Sequence, residues 1–191
     1  MIKQIALLAL CAVAVSAVPG KCPAVKTAPI GDLNKAMILW WRPFRSQFNA
    51  EEPIFKCLST EWKELVGKRF KVIDNNQRAN DSAKITWNGY ITALEDTSDW
   101  AIEFDESANN MKVSAQILDY VEDKYMFMYV CVPDPNGADA HTHNGIIFTK
   151  VKDVPAPEMH DYIVRANLAM RANNLRHINM LPIDLRGCAA P

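Results

Sequence analysis

The chain lacks close cysteine pairs, internal apolar runs of membrane-spanning length and an excess of either charge. None of its five cysteines forms a C-x-x-C pair, the spacing that zinc sites usually use. Beyond the N-terminus, no apolar stretch approaches the roughly 20 residues that a membrane helix needs. Its 21 basic and 22 acidic residues nearly cancel. These absences argue against a zinc module, a transmembrane protein and a binder of nucleic acid or anionic membranes.

Common enzyme motifs are also missing. The sequence has no Gly-x-Ser-x-Gly elbow, no His-Glu-x-x-His pattern and no glycine-rich phosphate loop. Its four histidines have no evident catalytic partner nearby: His141, His143, His160 and His177. We therefore predict that the protein is not an enzyme and has no catalytic or metal-ligating residues, although a triad built from distant residues would leave no motif.

The N-terminus has the pattern of a secretory signal peptide. Lys3 gives a basic start, the apolar run from Ile5 to Val15 is too short to span a bilayer, and small residues lead up to Ala17. We expect residues 1–17 to be removed, with cleavage after Gly20 as the alternative. Residues 18–191 show no repeat and no linker-like change of composition, which predicts a single domain.

Four cysteines remain once Cys11 leaves with the signal peptide. They are widely separated, at Cys22, Cys57, Cys131 and Cys188. An even number of distant cysteines behind an export signal predicts two disulfides that close long loops, and three pairings are open on this basis. The pattern predicts a secreted, extracellular protein.

Alternation of apolar and polar residues predicts a mostly β structure. The apolar members of the alternating segments are Phe70 and Val72; Ile85, Trp87 and Ile91; Trp100, Ile102 and Phe104; and Met111, Val113, Ala115 and Ile117. Two more predicted strands, Tyr125 to Val132 and Gly145 to Val151, are apolar on both faces. Turn-forming residues separate the strands at 74–82, 95–99, 105–110 and 134–137. Successive hairpins predict a meander, and closing it into a barrel removes the exposed edges.

One predicted helix interrupts the β pattern. Apolar residues recur at helical spacing from Glu158 to Asn173, after Pro155 and Pro157. A short strand is predicted from Ile178 to Ile183. This order fits a barrel with a single helix packed on its outside.

Several motifs together resemble the lipocalin family, and within it apolipoprotein D and the insect bilin-binding proteins. They are Lys21-Cys22-Pro23, Asp32-Leu33-Asn34-Lys35, Trp40-Trp41, Cys57, the strand from Tyr125 to Cys131, Phe148-Thr149-Lys150, Pro155-x-Pro157 and Cys188. The resemblance spans nearly all of residues 18–191, and the cysteine spacing is its most specific part. It implies an all-β fold, an eight-stranded antiparallel up-and-down β-barrel with one C-terminal α-helix packed outside. It also implies two disulfides, Cys22–Cys131 and Cys57–Cys188.

The resemblance further implies two structural residues at the closed end of the barrel. Trp40 corresponds to the tryptophan of the family's Gly-x-Trp motif, with Ile38 where the glycine stands. Lys150 replaces the arginine that packs over this tryptophan. Because lysine lacks the planar fork that pins an indole ring, we expect Lys150 near Trp40 as a looser clamp.

The inward faces of the strands predict the ligand-binding cavity. If Cys131 points outward to form its disulfide, its neighbours at alternate positions point inward. The predicted lining is Phe70, Val72, Ile85, Trp87, Ile91, Ile102, Phe104, Met111, Val113, Ile117, Met126, Met128, Val130, Asn144 and Ile146. Asp74 and Asn76 continue this phase towards the mouth, either to hold the polar end of a ligand or as solvated loop residues. The alternative is that the apolar set simply fills a core.

Three loop features carry further interpretations. Asp139, His141 and His143 form a D-x-H-x-H run, which predicts a solvated hairpin tip or a metal or haem contact. Asn80 begins an N-glycosylation sequon in a predicted turn. The first long loop, which in the family caps the open end, is expected to contain Phe44, Phe48, Pro53, Ile54 and Phe55, as a lid, as a membrane contact or as residues that pack locally.

The resemblance implies a carrier that binds one small hydrophobic ligand, with biliverdin or another bilin pigment as the leading candidate and no other cofactor certain. Fatty acids, retinoids, sterols and haem are alternatives on the same fold. A protein–protein effector of inhibitor type, acting through its loops over a filled barrel, is a hypothesis of another class. An isomerase-like or peroxidase-like enzyme is a third. A cell-surface receptor and an oligomer stay open as partners.

Overall fold

Eight antiparallel strands close into a barrel in the computed structural model, which describes residues 18–46, 54–94, 98–133 and 140–191. In chain order the strands are β1 (Val18–Pro19), β2 (Leu39–Arg45), β3 (Phe55–Val66), β4 (Arg69–Arg78), β5 (Lys84–Ala93), β6 (Asp99–Phe104), β7 (Lys112–Val121), β8 (Tyr125–Pro133), β9 (Ala140–Thr149) and β10 (Leu181–Pro182). The helices are α1 (Leu33–Ala36) and α2 (Ala156–Ala172). Strands β2 to β9 pair in sequence order, and β9 returns to pair with β2. The predicted up-and-down barrel is confirmed.

The two faces of the barrel wall pack against different partners. On β8, Met126, Met128 and Val130 belong to the interior cluster, whereas Phe127 and Tyr129 belong to an outer cluster beneath α2. Side chains of successive strand residues point to opposite faces, so a strand covered on both sides is apolar at every position. This accounts for the continuous apolar run in β8.

Helix α2 lies on the outside of β7 and β8. It begins after Pro155 and has Pro157 in its first turn, where a missing N–H costs nothing. Its buried face carries Tyr162, whose ring stacks on that of Tyr125 at 4.6 Å between centroids. Arg165 forms a bidentate ion pair with Asp119 of β7 at 2.7 and 2.8 Å. The predicted helix is confirmed, with its start two residues earlier than expected.

Both disulfides form as the resemblance implies, and both lie outside the barrel. Cys22–Cys131 ties the N-terminal segment to β8, and Cys57–Cys188 ties the C-terminal segment to β3. Cys131 packs in the cluster beneath α2, while Cys188 packs with Trp41 and Leu185. The two chain ends are therefore fixed to different strands on the outer face of the wall, the N-terminal segment to β8 and the C-terminal segment to β3.

A short segment around α1 closes one end of the barrel. Asp32 caps α1 by accepting a hydrogen bond from the Asn34 backbone N–H at 2.9 Å. Ile30, Leu33 and Ala36 are buried in the interior cluster. Near this end, the Lys35 ammonium forms an ion pair with Glu122 in the β7–β8 turn. The opposite end, where β6 meets β7, is the mouth.

Several predicted boundaries were wrong. The segment 74–82, predicted as a turn, is strand as far as Arg78. Phe44 and Phe55, predicted in a loop, lie on β2 and β3, while Ile54 is exposed and Phe48 and Pro53 lie outside the described residues. The last barrel strand is Ala140–Thr149 rather than 145–151, and the predicted strand 178–183 shortens to Leu181–Pro182. Residues 134–137 lie outside the described part of the chain.

Polar residues on the inward face explain the first of these errors. Asp74 and Asn76 are buried at alternating positions of β4, and both are hydrogen-bonded to Arg42 of β2. A buried polar side chain with partners is tolerated inside a strand. Their polarity suggested a turn only because the partner is distant in sequence.

Removing either disulfide should destabilise the protein by a similar amount. The two bonds span 109 and 131 residues, and the entropy of loop closure grows only with the logarithm of length. Each should contribute roughly 4–5 kcal/mol, and the difference between them should stay below about 1 kcal/mol. Urea unfolding of Cys22→Ala/Cys131→Ala and Cys57→Ala/Cys188→Ala measures both values. A loss confined to one double variant would contradict this expectation.

Candidate ligand-binding site

The interior of the barrel contains a cavity of about 510 Å³. It extends from Trp62 and Phe148 to Ser107 and Asn109 in the connection between β6 and β7, at the mouth. Pockets that bury a small organic ligand usually measure about 300–1,000 Å³. The cavity therefore has room for one such molecule.

The floor of the cavity is a cluster of aromatic rings around Trp62. The Trp62 ring lies 5.8 Å from Trp40, 5.7 Å from Phe70, 5.0 Å from Trp100 and 5.8 Å from Phe148, centroid to centroid. Tilted and edge-on arrangements such as these are favoured by the ring quadrupoles. The cluster separates the cavity from α1 with a wide aromatic surface.

Ten of the predicted lining residues contact the cavity. They are Val72, Trp87, Ile91, Ile102, Phe104, Met111, Val113, Met128, Val130 and Ile146. Phe70, Ile117 and Met126 point inward but are fully buried in the interior core and do not line the cavity. Ile85 is half-buried on β5 and does not line it either. Asn144 is buried and accepts a hydrogen bond from the Ser46 hydroxyl at 3.0 Å.

Sequence reasoning missed the part of the wall formed by β2 and β3. These strands contribute Arg42, Arg45, Phe55, Thr60 and Trp62 to the lining, and β9 adds Phe148. A bulge in the β2–β9 pairing between Trp41 and Phe44 interrupts the alternation of β2. Inward residues of β3 are a mixture of polar and aromatic types, so no apolar alternation marks the strand. Arg42 lies two positions after Trp40, so the alternation of side chains along a strand could have placed both on the inner face.

A polar cluster lies in this missed wall. The Arg42 guanidinium binds Asp74 Oδ2 at 3.0 Å, Asn76 Oδ1 at 2.9 Å and the Ser59 carbonyl at 3.2 Å. The Thr60 hydroxyl donates to Asp74 Oδ1 at 2.6 Å. Asp74 and Asn76 thus lie on the barrel's inner face, as the alternation predicts. They are not solvated loop residues.

Trp40 and Lys150 both lie near the closed end. Trp40 is fully buried, and its indole N–H donates to the Ala36 carbonyl at 3.0 Å. The Lys150 ammonium forms an ion pair with Asp123 in the β7–β8 turn. A different lysine, Lys152, lies 5.9 Å from the ring centre of Trp41. The predicted stacking of Lys150 on Trp40 stays a prediction.

His141 and His143 lie on β9 and not at a hairpin tip. His141 is 4% exposed, and its Nδ1 lies 2.8 Å from the Gly20 carbonyl oxygen. Burial lowers the pKa of His143, and the neighbouring His141 and Arg176 lower it further. Asp139 lies outside the described residues. Across the described ranges, no three His, Cys, Asp or Glu side chains come together as a potential metal site.

A closed eight-stranded meander with an interior cavity is the architecture of barrels that enclose one small ligand. Similar solved structures include lobster apocrustacyanin A1, with 18% identity, coverage of 88% of this chain and 91% of that one, and a TM-score of 0.70. Insecticyanin from the tobacco hornworm Manduca sexta has 18% identity, coverage of 90% and 89%, and a TM-score of 0.71. The cockroach allergen Per a 4 has 14% identity, coverage of 85% and 94%, and a TM-score of 0.59.

The chain therefore has the lipocalin fold, and the resemblance seen in its sequence is confirmed at the level of the fold. No protein-family model and no curated protein matches the sequence. Among the described residues, no helix has the length and apolar character needed to cross a membrane.

Acidification should destabilise the fold partly through His143. Its folded pKa lies below the ordinary value of 6.5, so the unfolded chain takes up the proton first. Stability should therefore be lost as the pH falls from about 6.5 towards the folded pKa. The free energy of unfolding, measured with urea at about pH 7.5 and about pH 5.5, should fall less between these two pH values in His143→Gln than in the wild type.

His160 supplies the control for this measurement, since it is exposed on α2. His160→Gln should keep the wild-type pH dependence. Equal pH dependence in the wild type and His143→Gln would show that protonation of His143 does not contribute to the loss of stability at low pH.

Proposed function

We propose that the protein is a secreted carrier that holds one small hydrophobic molecule inside its barrel. The observation that carries the proposal is the cavity of about 510 Å³, whose floor and most of whose wall are apolar or aromatic. Burying ligand surface there is favourable by about 25 cal/mol per Å² of apolar area. The two disulfides support an extracellular location, because such bonds persist in oxidising compartments.

The side chains around the cavity suit a planar or flexible apolar ligand. Trp62, Trp87 and Phe104 offer ring faces and edges. Met111 and Met128 add unbranched thioether side chains, which adjust to irregular shapes. A rigid steroid, a polyene or a tetrapyrrole each meets compatible surface in such a site.

Biliverdin is the leading specific ligand. The support is the sequence resemblance to the insect bilin-binding proteins, together with the similarity of fold to insecticyanin. Retinoids, sterols and fatty acids are alternative ligands for the same carrier function. They differ from biliverdin and from one another in their polar groups. An effector that acts over a filled barrel is less well supported, because the interior holds a cavity.

Titration with biliverdin tests the proposal. Binding should shift and sharpen the visible absorption of biliverdin and quench tryptophan fluorescence, since Trp62 and Trp87 line the cavity. Val113→Trp places a large ring in the cavity and should weaken binding at least about tenfold, because the site loses the volume the ligand needs.

The matched control is Val164→Trp, which changes an exposed valine on the outer face of α2. This variant should bind as the wild type does. If Val113→Trp and wild type bind biliverdin equally, the ligand does not enter the barrel. If the wild type binds neither biliverdin nor a neutral apolar dye such as Nile red, the carrier function is wrong.

We also propose that Asn80 carries an N-linked glycan. It is exposed in the β4–β5 turn at the mouth, with Ser82 completing the sequon. Protein secreted from insect or mammalian cells should lose mass on treatment with an N-glycosidase, and Asn80→Gln should abolish that loss. A retained loss of mass in Asn80→Gln would place the glycan elsewhere.

A further inference from the structure

A buried ion pair lies in the wall of the cavity. Arg42 and Asp74 both line the cavity, and their side chains are 3% and 11% exposed. Burying two charges is costly even when they pair, and apolar side chains at such positions are often equally stable or more stable. The fold alone therefore gives no reason for charges at two inward positions of a hydrophobic barrel.

Neighbouring groups hold the ion pair in one arrangement. Asp74 accepts a hydrogen bond from the Arg42 guanidinium on Oδ2 and one from the Thr60 hydroxyl on Oδ1, so each of its oxygens has a donor. Arg42 also donates to Asn76 Oδ1. Because the Thr60 hydroxyl donates its hydrogen bond to Asp74, the lone pairs of Thr60 Oγ1 remain as acceptors at the cavity surface.

The charges of the pair cancel, and this has a consequence for anionic ligands. A carboxylate that approached Arg42 would come close to the Asp74 carboxylate in a region of low dielectric constant, where like charges repel strongly. A neutral group that both donates and accepts hydrogen bonds meets no such repulsion. It can donate to Thr60 Oγ1 while remaining uncharged.

We infer that the Arg42–Asp74 pair makes the cavity select ligands with a neutral hydrogen-bonding group, such as a hydroxyl or a lactam, over ligands with a carboxylate at that position. The inference rests on the proposed carrier function and specifies its ligand class. A tetrapyrrole would satisfy it by placing neutral lactam and pyrrole groups at this wall and its carboxylates at the mouth.

Arg45 is a second cation on the same side of the cavity, nearer the mouth. Its Nε donates to the Ser46 carbonyl at 3.0 Å, and its guanidinium carbon lies 5.8 Å from the ring centre of Phe55. Arg45 pairs in register with Ile146, whereas Arg42 lies deeper, next to the strand segment that carries Trp40. A carboxylate held by Arg45 would stay near the mouth and leave the deeper site to a neutral group.

Retinol and retinoate test the selectivity, because they share one hydrocarbon and differ only in the terminal group. Each is titrated against bound Nile red and followed by dye displacement. The wild type should bind retinol at least about tenfold more tightly than retinoate, because a carboxylate beside Asp74 is repelled and cannot donate to Thr60 Oγ1. Asp74→Asn leaves Arg42 without this counter-charge, so retinoate affinity should rise about tenfold and the preference should be lost or reversed.

Asp119→Asn is the matched control for Asp74→Asn. It neutralises an aspartate that also pairs with an arginine, Arg165, but on the outer face of the barrel. The ratio of retinol to retinoate affinity should not change in this variant.

A second variant keeps both charges in place. Thr60→Val removes the acceptor hydroxyl and should weaken retinol a few-fold without strengthening retinoate, the loss expected for one neutral hydrogen bond. Its control is Thr86→Val on the outer face, where the threonine is exposed. If Asp74→Asn does not fold, the comparison of Thr60→Val with Thr86→Val tests the inference instead.

The outcomes separate the two proposals. If neither Nile red nor biliverdin binds the wild type, the carrier function fails, and the inference with it. If ligands bind but retinoate equals or exceeds retinol, the carrier function stands and the selectivity inference is overturned. An unchanged affinity ratio in folded Asp74→Asn, or unchanged retinol affinity in Thr60→Val, also overturns it.

Discussion

The pairing of β2 with β9 is the contact on which the rest of the structure depends. Through Trp41, Phe44 and Arg45 it joins the first and last barrel strands, and so turns a meander with two edges into a wall with an inside and an outside. Once the wall is closed, every second side chain is withdrawn from solvent without a second sheet. The outer face is apolar where α2 or the C-terminal segment covers it.

Closure also explains how a polar cluster can persist in the interior. Arg42 and Asp74 belong to β2 and β4, with β3 between them, and the curvature of the wall brings their side chains together. Below them lies the aromatic floor, while Ser107 and Asn109 line the cavity at the mouth. The lining of the cavity therefore changes along the barrel axis, from an aromatic base to a polar rim.

The parts of the fold that could be predicted are those marked by a pattern of neighbouring residues in the sequence. The phase of β8 follows from Cys131, and its inward residues Met128 and Val130 do reach the cavity. The sequence of β3 carries no such pattern. Polar Thr60 and aromatic Trp62 both face inward, so its inner face is not marked by alternating apolar residues. Asp74 was misplaced in a turn for a related reason. Its partner Arg42 lies 32 residues away, and only the folded barrel shows that the carboxylate is satisfied.

Both covalent ties are anchored on the outer surface of the wall. Cys22–Cys131 lies in the cluster beneath α2, and Cys57–Cys188 lies beside Trp41, so neither crosses the interior. None of the four cysteines is among the residues that line the cavity. Substitutions on the inner face can therefore change the shape and chemistry of the cavity while the disulfides and the outer packing stay the same.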